Sequence, residues 1–218
     1  MKPRLANQKT AALTLVEVLV VIAVLAILLT MLLHALALHH STRKAIVCAD
    51  NLKQVGLSFR IWSGDNNDKY PMQVSVANGG TLGLASGRNA WINFMVMSNE
   101  LSTPKILICP QDTQRLPPAT NFSSQLAGHI SYFVGLEANK SDAQSILSGD
   151  DNFEIGGVSV ETGLLKLSSN SPMAWTSVRH GLAGNILLAD GSVQTFSNSG
   201  LTNWLHGTGS FTNRLAIP

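Results

Sequence analysis

The sequence predicts an α+β protein in which one long N-terminal helix, apolar at first and amphipathic after, packs on a small antiparallel β-sheet domain. Three observations carry this expectation. Leu13 to Leu33 is a run of 21 residues interrupted only by Thr14, Glu17 and Thr30, which meets the roughly 20 residues a helix needs to cross a bilayer. Ala45, Cys48, Leu52, Val55, Phe59 and Trp62 then recur at spacings of 3, 4, 3, 4 and 3, the signature of one helical face. Far downstream, two strand-like runs at 185–189 and 192–196 flank Asp190-Gly191, the preferred composition of a two-residue hairpin turn.

Composition supports a membrane-linked chain. Its 218 residues leave room for one globular domain of ordinary size. Only 13% of them are charged, against about 25% in soluble domains, so part of the chain is solvated by lipid. The formal net charge of +2 rests on Lys2, Arg4 and Lys9, and without them it falls to −1. No basic run or basic stripe interleaved with aromatics follows, so no nucleic-acid partner is expected. The same three cations precede the apolar run while only Arg43 and Lys44 follow it closely. That bias favours a cytoplasmic amino terminus with the C-terminal domain outside.

The remaining elements follow in order. No proline lies between Leu13 and Trp62, so one helix spanning both segments would be about 75 Å long at 1.5 Å per residue. Gly64 offers a stop, followed by the polar turn Asp65-Asn66-Asn67-Asp68 and by Pro71. That cluster lacks the alternating ligands, central glycine and distal glutamate of a calcium loop, so a surface turn is expected. Residues 72–90 read as a loop, 91–96 as a short helix or strand, and 106–108 as a buried strand closed by Cys109-Pro110. A polar loop at 111–125 leads to strands at 130–134 and 145–148 with a helical turn at 141–144 between them. The acids of 149–154 read as a solvated loop, with a cation site as the other reading, and 158–167 as a strand. A two-residue turn at Asp190-Gly191 would set Leu188 opposite Val193 and Ile186 opposite Thr195, on the side facing the helix stripe. The tail packs back through Leu201, Trp204, Phe211 and Leu215.

A basic tail before an apolar run can be a cleaved secretory signal, a signal anchor or something more specialised. Twenty-one residues exceed the 7 to 15 of a secretory core, although Ala35-Leu36-Ala37 offers a signal-peptidase match. Glu17 fits neither plain reading, because an ionised carboxylate facing lipid costs roughly 2.5 to 3.5 kcal/mol and needs a partner. Lys9-Thr10-Ala11-Ala12 followed by Leu13-Thr14-Leu15-Val16-Glu17 and an unbroken aliphatic run resembles the amino terminus of type IV prepilins and type II secretion pseudopilins. The family pattern has glycine before the cut, phenylalanine after it and glutamate as the fifth mature residue. Here Ala12 and Leu13 stand at the first two positions and Glu17 at the third.

The resemblance implies a pilin-like fold, cleavage between Ala12 and Leu13 by prepilin peptidase, and methylation of Leu13. It also implies assembly in which Glu17 meets the amine of a neighbouring subunit. Implied partners are prepilin peptidase, sister pilin or pseudopilin subunits, an inner-membrane assembly platform and membrane lipid. Implied location is the bacterial inner membrane, single-pass, with the domain periplasmic. The expected organisation is a basic leader at 1–12, a transmembrane and assembly helix at 13–38, an amphipathic continuation at 39–63, and a globular domain at 64–218.

His180, nine intervening residues and Asp190-Gly191 resemble the H-X9-DG element of one branch of prepilin-like proteins. In that branch the element accompanies a Cys-x-x-Asn-Leu-Lys-Gln stretch, here beginning at Cys48, and a later Cys-Pro, here Cys109-Pro110. Two cysteines exported to an oxidising compartment usually pair, so a Cys48–Cys109 disulfide is expected, with two buried free thiols as the other reading. His180 and Asp190 are expected in separate structural roles, the acid at the turn and the histidine hydrogen-bonded ahead of a strand, over a joint catalytic or metal site. No local catalytic signature occurs, and His39-His40 reads as interfacial, so no enzyme activity, cofactor or metal is expected. The favoured reading is a structural pilus or pseudopilus subunit. An unprocessed, single-pass anchored periplasmic binding module is the alternative.

Overall fold

The computed structural model describes residues 14–84, 89–123, 126–207 and 212–218, with the side chains of 34–42 and of Thr212 outside that description. Helix α1 runs Leu15–Asp65, and the chain divides into two units between Thr42 and Arg43. In the first unit Leu15–Leu33 is long and apolar enough to cross a membrane, and none of that window is buried within the chain.

The second unit is an antiparallel sheet covered on both faces. Its strands are β1 (Tyr132–Gly135), β2 (Ile146–Asp150), β3 (Phe153–Ile155), β4 (Val158–Ser159), β5 (Gly163–Ser168), β6 (Met173–Trp175), β7 (Ala183–Leu188), β8 (Val193–Ser197) and β9 (Thr212–Ile217). Six of them form one sheet in the order β5-β9-β1-β2-β7-β8, and β4-β3-β6 form a second, smaller one. Because successive side chains of a strand point to opposite faces, each central strand feeds two cores. Tyr132, Val134, Leu147 and Leu187 pack with Cys48, Leu52, Val55 and Phe59 of α1, whose side chains are fully buried. Phe133, Ile146, Ile186 and Leu188 pack instead with Phe153 and Trp175 of the smaller sheet and with Leu201 and Leu205 of α4 (Asn198–Gly207). Each such large apolar side chain contributes about 1.5 to 3 kcal/mol on burial.

Local chemistry explains how α1 sits on this sheet. A Cβ on Gly56 would fall 2.7 Å from Leu187 Cδ1, so the missing side chain is what lets the helix lie close to β7. Phe59 meets Tyr70 and Phe94 edge-on, with ring centroids 5.8 and 6.3 Å away. Tyr70 donates its hydroxyl to the Ala189 carbonyl at 2.8 Å, tying the segment after α1 to the far hairpin. The helix passes Gly64 and ends at Asp65, where the Asp68 amide reaches back to the Ser63 carbonyl at 2.9 Å. Asn67 and Asp68 take left-handed φ of 55° and 58°, a conformation asparagine and aspartate tolerate better than most residues. Asp68 is also ion-paired with Lys140.

Several expectations need correction. Residues 104–107 form a 3₁₀ turn, Pro104–Leu107, and not a strand; Pro104 fixes the first turn while Thr103 caps it by accepting from the Lys105 amide at 3.4 Å. Of the short helix or strand expected at 91–96 the structure bears out the helix, α2, Ala90–Met95, followed by α3, Ser98–Leu101. The expected strand at 158–167 is split into β4 and β5. The acids of 149–154 are not in a solvated loop: Asp150 and Asp151 are buried and Asp150 ends β2. Compensating cations and amides nearby make that burial tolerable.

The hairpin is also one residue out of the expected register. Leu187 pairs with Val193, Ile186 with Gln194 and Asn185 with Thr195, which leaves Ala189, Asp190 and Gly191 as a three-residue loop. The Gly191 amide closes a β-turn on the Leu188 carbonyl at 2.9 Å, and the Leu188 amide bonds Ser192 at 2.9 Å. Gly191 has φ +88°, the left-handed position that such a loop requires. A slip of one residue exchanges the faces of a strand. Leu187 and Val193 therefore face the helix, and Ile186 and Leu188 face the other core.

Candidate functional site

At the start of α1, Thr14 and Glu17 form a reciprocal cap. The Glu17 carboxylate accepts from the Thr14 amide at 2.7 Å and from its hydroxyl at 2.9 Å, while the Glu17 amide donates to Thr14 Oγ1 at 3.3 Å. Thr-x-x-Glu is a capping box, legible in the sequence but not read there. Within one chain the acid thus satisfies helix-end donors while it remains exposed. Ala12 and Leu13 lie outside the described residues, as do the side chains of His39 and His40.

A disulfide joins Cys48 on α1 to Cys109, just after the 3₁₀ turn, across 61 positions of sequence. His180 lies against it: its Nε2 is 3.4 Å from Cys109 Sγ and 3.4 Å from Asp150 Oδ2. The backbone holds the ring there by an uncommon device. His180, Gly181 and Leu182 take φ of 54°, 59° and 65° in succession, and each non-glycine residue so placed costs roughly 1 to 2 kcal/mol. The His180 amide is anchored by Gln111 Oε1 at 3.0 Å. Burial, aided by the Arg179 guanidinium, pushes the imidazole down to about 4, so it is neutral at physiological pH.

Around this ring runs a buried polar network. Arg179 faces Asp112 at 3.2 Å and is paired with Asp151, and the three side chains are at most 3% exposed. Arg115 also pairs with Asp151 and donates to the Pro218 carbonyl at 2.9 Å. Ser131 donates to Asp112 at 2.7 Å and accepts the Cys109 amide at 3.1 Å. Asp150 accepts from the Asn185 amide and side chain, both at 2.8 Å. Burial nevertheless pushes its carboxyl up to about 6. Asp150 Oδ1 and His180 Nδ1 have no hydrogen-bond partner among the described residues. A polar groove of about 480 Å³ opens beside the network, with Arg115, Asp151, Asn152, Glu161 and Thr176 among its walls. Sequence reasoning missed Arg179, Arg115, Asp112 and Asp150; the one available signal was Arg179 beside the already marked His180.

Asp190 stands elsewhere, in a different set of contacts. Its carboxylate accepts the Ser192 amide at 2.7 Å, its own amide donates to the Ala143 carbonyl at 3.2 Å, and its carbonyl accepts from Arg60 at 3.3 Å. The two marked residues thus hold different structures, His180 the disulfide face and Asp190 the hairpin loop.

Comparison with known proteins adds one match. Residues 7–33 fit the family model described as the prokaryotic N-terminal methylation motif. No curated protein and no solved structure matches the chain. The matched segment contains the Ala12-Leu13 junction, Glu17 and the membrane-length helix together, and the match supports a prepilin-type amino terminus.

Proposed function

We propose that the protein is a structural subunit of a type IV pilus or a type II secretion pseudopilus. Prepilin peptidase cuts it between Ala12 and Leu13, Leu13 is methylated, and the subunit waits in the inner membrane with its domain on the periplasmic side. Assembly proceeds through the N-terminal helix, with Glu17 as the group that meets a neighbour's new amine. The observation that carries this reading is the methylation motif at 7–33, laid over an apolar helix whose only acid in the first turn is Glu17. The role is structural and not catalytic.

Mass spectrometry of the mature amino terminus from the native host tests the proposal. The expected result is a chain beginning at N-methylated Leu13. A chain beginning at residue 38 would make the segment an ordinary secretory signal. An intact Met1 would favour the anchored binding module, whose ligand site would be the polar groove beside Arg115.

A further inference from the structure

We infer that Cys48, Cys109 and His180 form a redox-gated site for a thiophilic divalent ion of the zinc class, present in the dithiol state and abolished by the disulfide. The ligand atoms of these three residues all lie within 4.8 Å of one another. A tetrahedral zinc with Zn–S of about 2.3 Å and Zn–N of about 2.0 to 2.1 Å requires nitrogen–sulfur edges of about 3.5 Å and a sulfur–sulfur edge of about 3.8 Å. The observed separation of His180 Nε2 from Cys109 Sγ is 3.4 Å, so that edge already fits. The His180–Cys48 edge lies within 4.8 Å, and the sulfur–sulfur edge must open from a covalent bond to ligand contact.

Two independent features point to a ligand here. The contact of His180 Nε2 with Asp150 Oδ2 is 3.4 Å long, beyond the usual range of a nitrogen–oxygen hydrogen bond, while the same nitrogen lies 3.4 Å from Cys109 Sγ. The imidazole Nδ1 has no hydrogen-bond partner among the described residues in its buried position, so the hydrogen bonding of that nitrogen is unspent there. The left-handed run at 180–182 nonetheless holds the ring against the sulfurs at a conformational cost. The donor set is also right for the ion: two thiolates and a neutral imidazole suit zinc, with the fourth position open to an exchangeable ligand. Asp150 Oδ2, 3.4 Å from the same Nε2, places a carboxylate beside the site.

The gate balances as a thiol–disulfide exchange. When a disulfide-bearing oxidant accepts two electrons, the two metal-bound thiolates become the Cys48–Cys109 bond. The oxidant's sulfurs take up two protons and leave as thiols, and the divalent ion is released. A dithiol, closing to its own disulfide, or a phosphine, leaving as its oxide with oxygen taken from water, reduces the Cys48–Cys109 bond and restores the ligands.

Cobalt(II) is the probe. Full-length protein in detergent micelles is reduced anaerobically with a phosphine, and Co²⁺ is titrated while absorption and far-ultraviolet circular dichroism are recorded. The expected result is one Co²⁺ per chain, with thiolate-to-cobalt charge transfer and intense tetrahedral d–d bands that Zn²⁺ bleaches. The disulfide form should show neither band. Cys109→Ser should lose most of the charge transfer, and His180→Ala should keep it while binding at least about tenfold more weakly. If reduction alone loosens the domain, added Co²⁺ should restore the dichroism as the bands rise. Absence of bands from reduced protein, whether folded or not restored by metal, would overturn the inference. So would unchanged affinity in His180→Ala.

Discussion

Arg179 faces two carboxylates, Asp112 and Asp151, and the Ser131 carbonyl accepts from the same guanidinium at 3.3 Å. Removing the cation leaves both acids buried without that guanidinium, Asp151 keeping its pair with Arg115, and breaking a buried pair in this way typically costs about 3 to 5 kcal/mol. Arg179→Met is therefore expected to lower the unfolding free energy by that amount, read from urea unfolding as a lower midpoint. Asp150 and His180 act on stability in opposite senses as pH changes. Asp150, raised from 3.8 to about 6, favours the folded state below its unfolded value and loses that contribution as pH rises through 6. His180, lowered from 6.5 to about 4, contributes above 6.5 and loses that contribution as pH falls through 4. Between these limits the two partly offset each other. Asp150→Asn removes one of them, so the variant should lose stability more steeply than the parent on acidification from pH 6.5 to 4. A parallel pair of stability curves across that window would contradict the assignment.

The hairpin shows how a single residue decides an element. Gly191 has φ +88°, and a Cβ there would meet Arg60 Cδ at 3.2 Å. Gly191→Val is expected to cost at least about 1 to 2 kcal/mol, seen as a lowered melting temperature of the purified protein. The composition Asp-Gly marked the turn but not its length, because two- and three-residue loops both end in a left-handed glycine. Only the pairing of Leu187 with Val193 fixes which face meets α1. The helix stripe was legible for the opposite reason: a 3.6-residue period over Cys48, Leu52, Val55 and Phe59 repeats too often to be read two ways. Buried charge was not legible. Asp150 and Asp151 look like surface acids until Arg179, Arg115 and Asn185 are brought to them by contacts 28 to 36 residues distant, and no local pattern encodes such meetings. Where elements are linked covalently the loop length sets the gain. Closing a 61-residue separation contributes about 4 kcal/mol in the chain-entropy model, so Cys48→Ser with Cys109→Ser should unfold at correspondingly lower denaturant than the oxidised parent.

At the scale of the whole molecule, Glu17 carries two demands that one experiment separates. In the single chain its carboxylate closes a capping box with Thr14, and a cap of this kind stabilises a helix end by about 0.5 to 2 kcal/mol. In a filament, the proposed role is ionic: a charge costing roughly 2.5 to 3.5 kcal/mol in lipid finds an opposite charge only when subunits assemble. Glutamine can complete a capping box but cannot supply the charge; valine can do neither. Glu17→Val and Glu17→Gln should therefore both insert into the membrane at least as well as the parent, since each removes an ionisable group from an apolar helix. If the charge is what assembly uses, the two variants should be comparably deficient in filaments recovered from the native host. If the cap is what matters, Glu17→Gln should assemble like the parent and only Glu17→Val should fail. Normal assembly of Glu17→Gln would thus remove the ionic role and leave the acid as a helix cap.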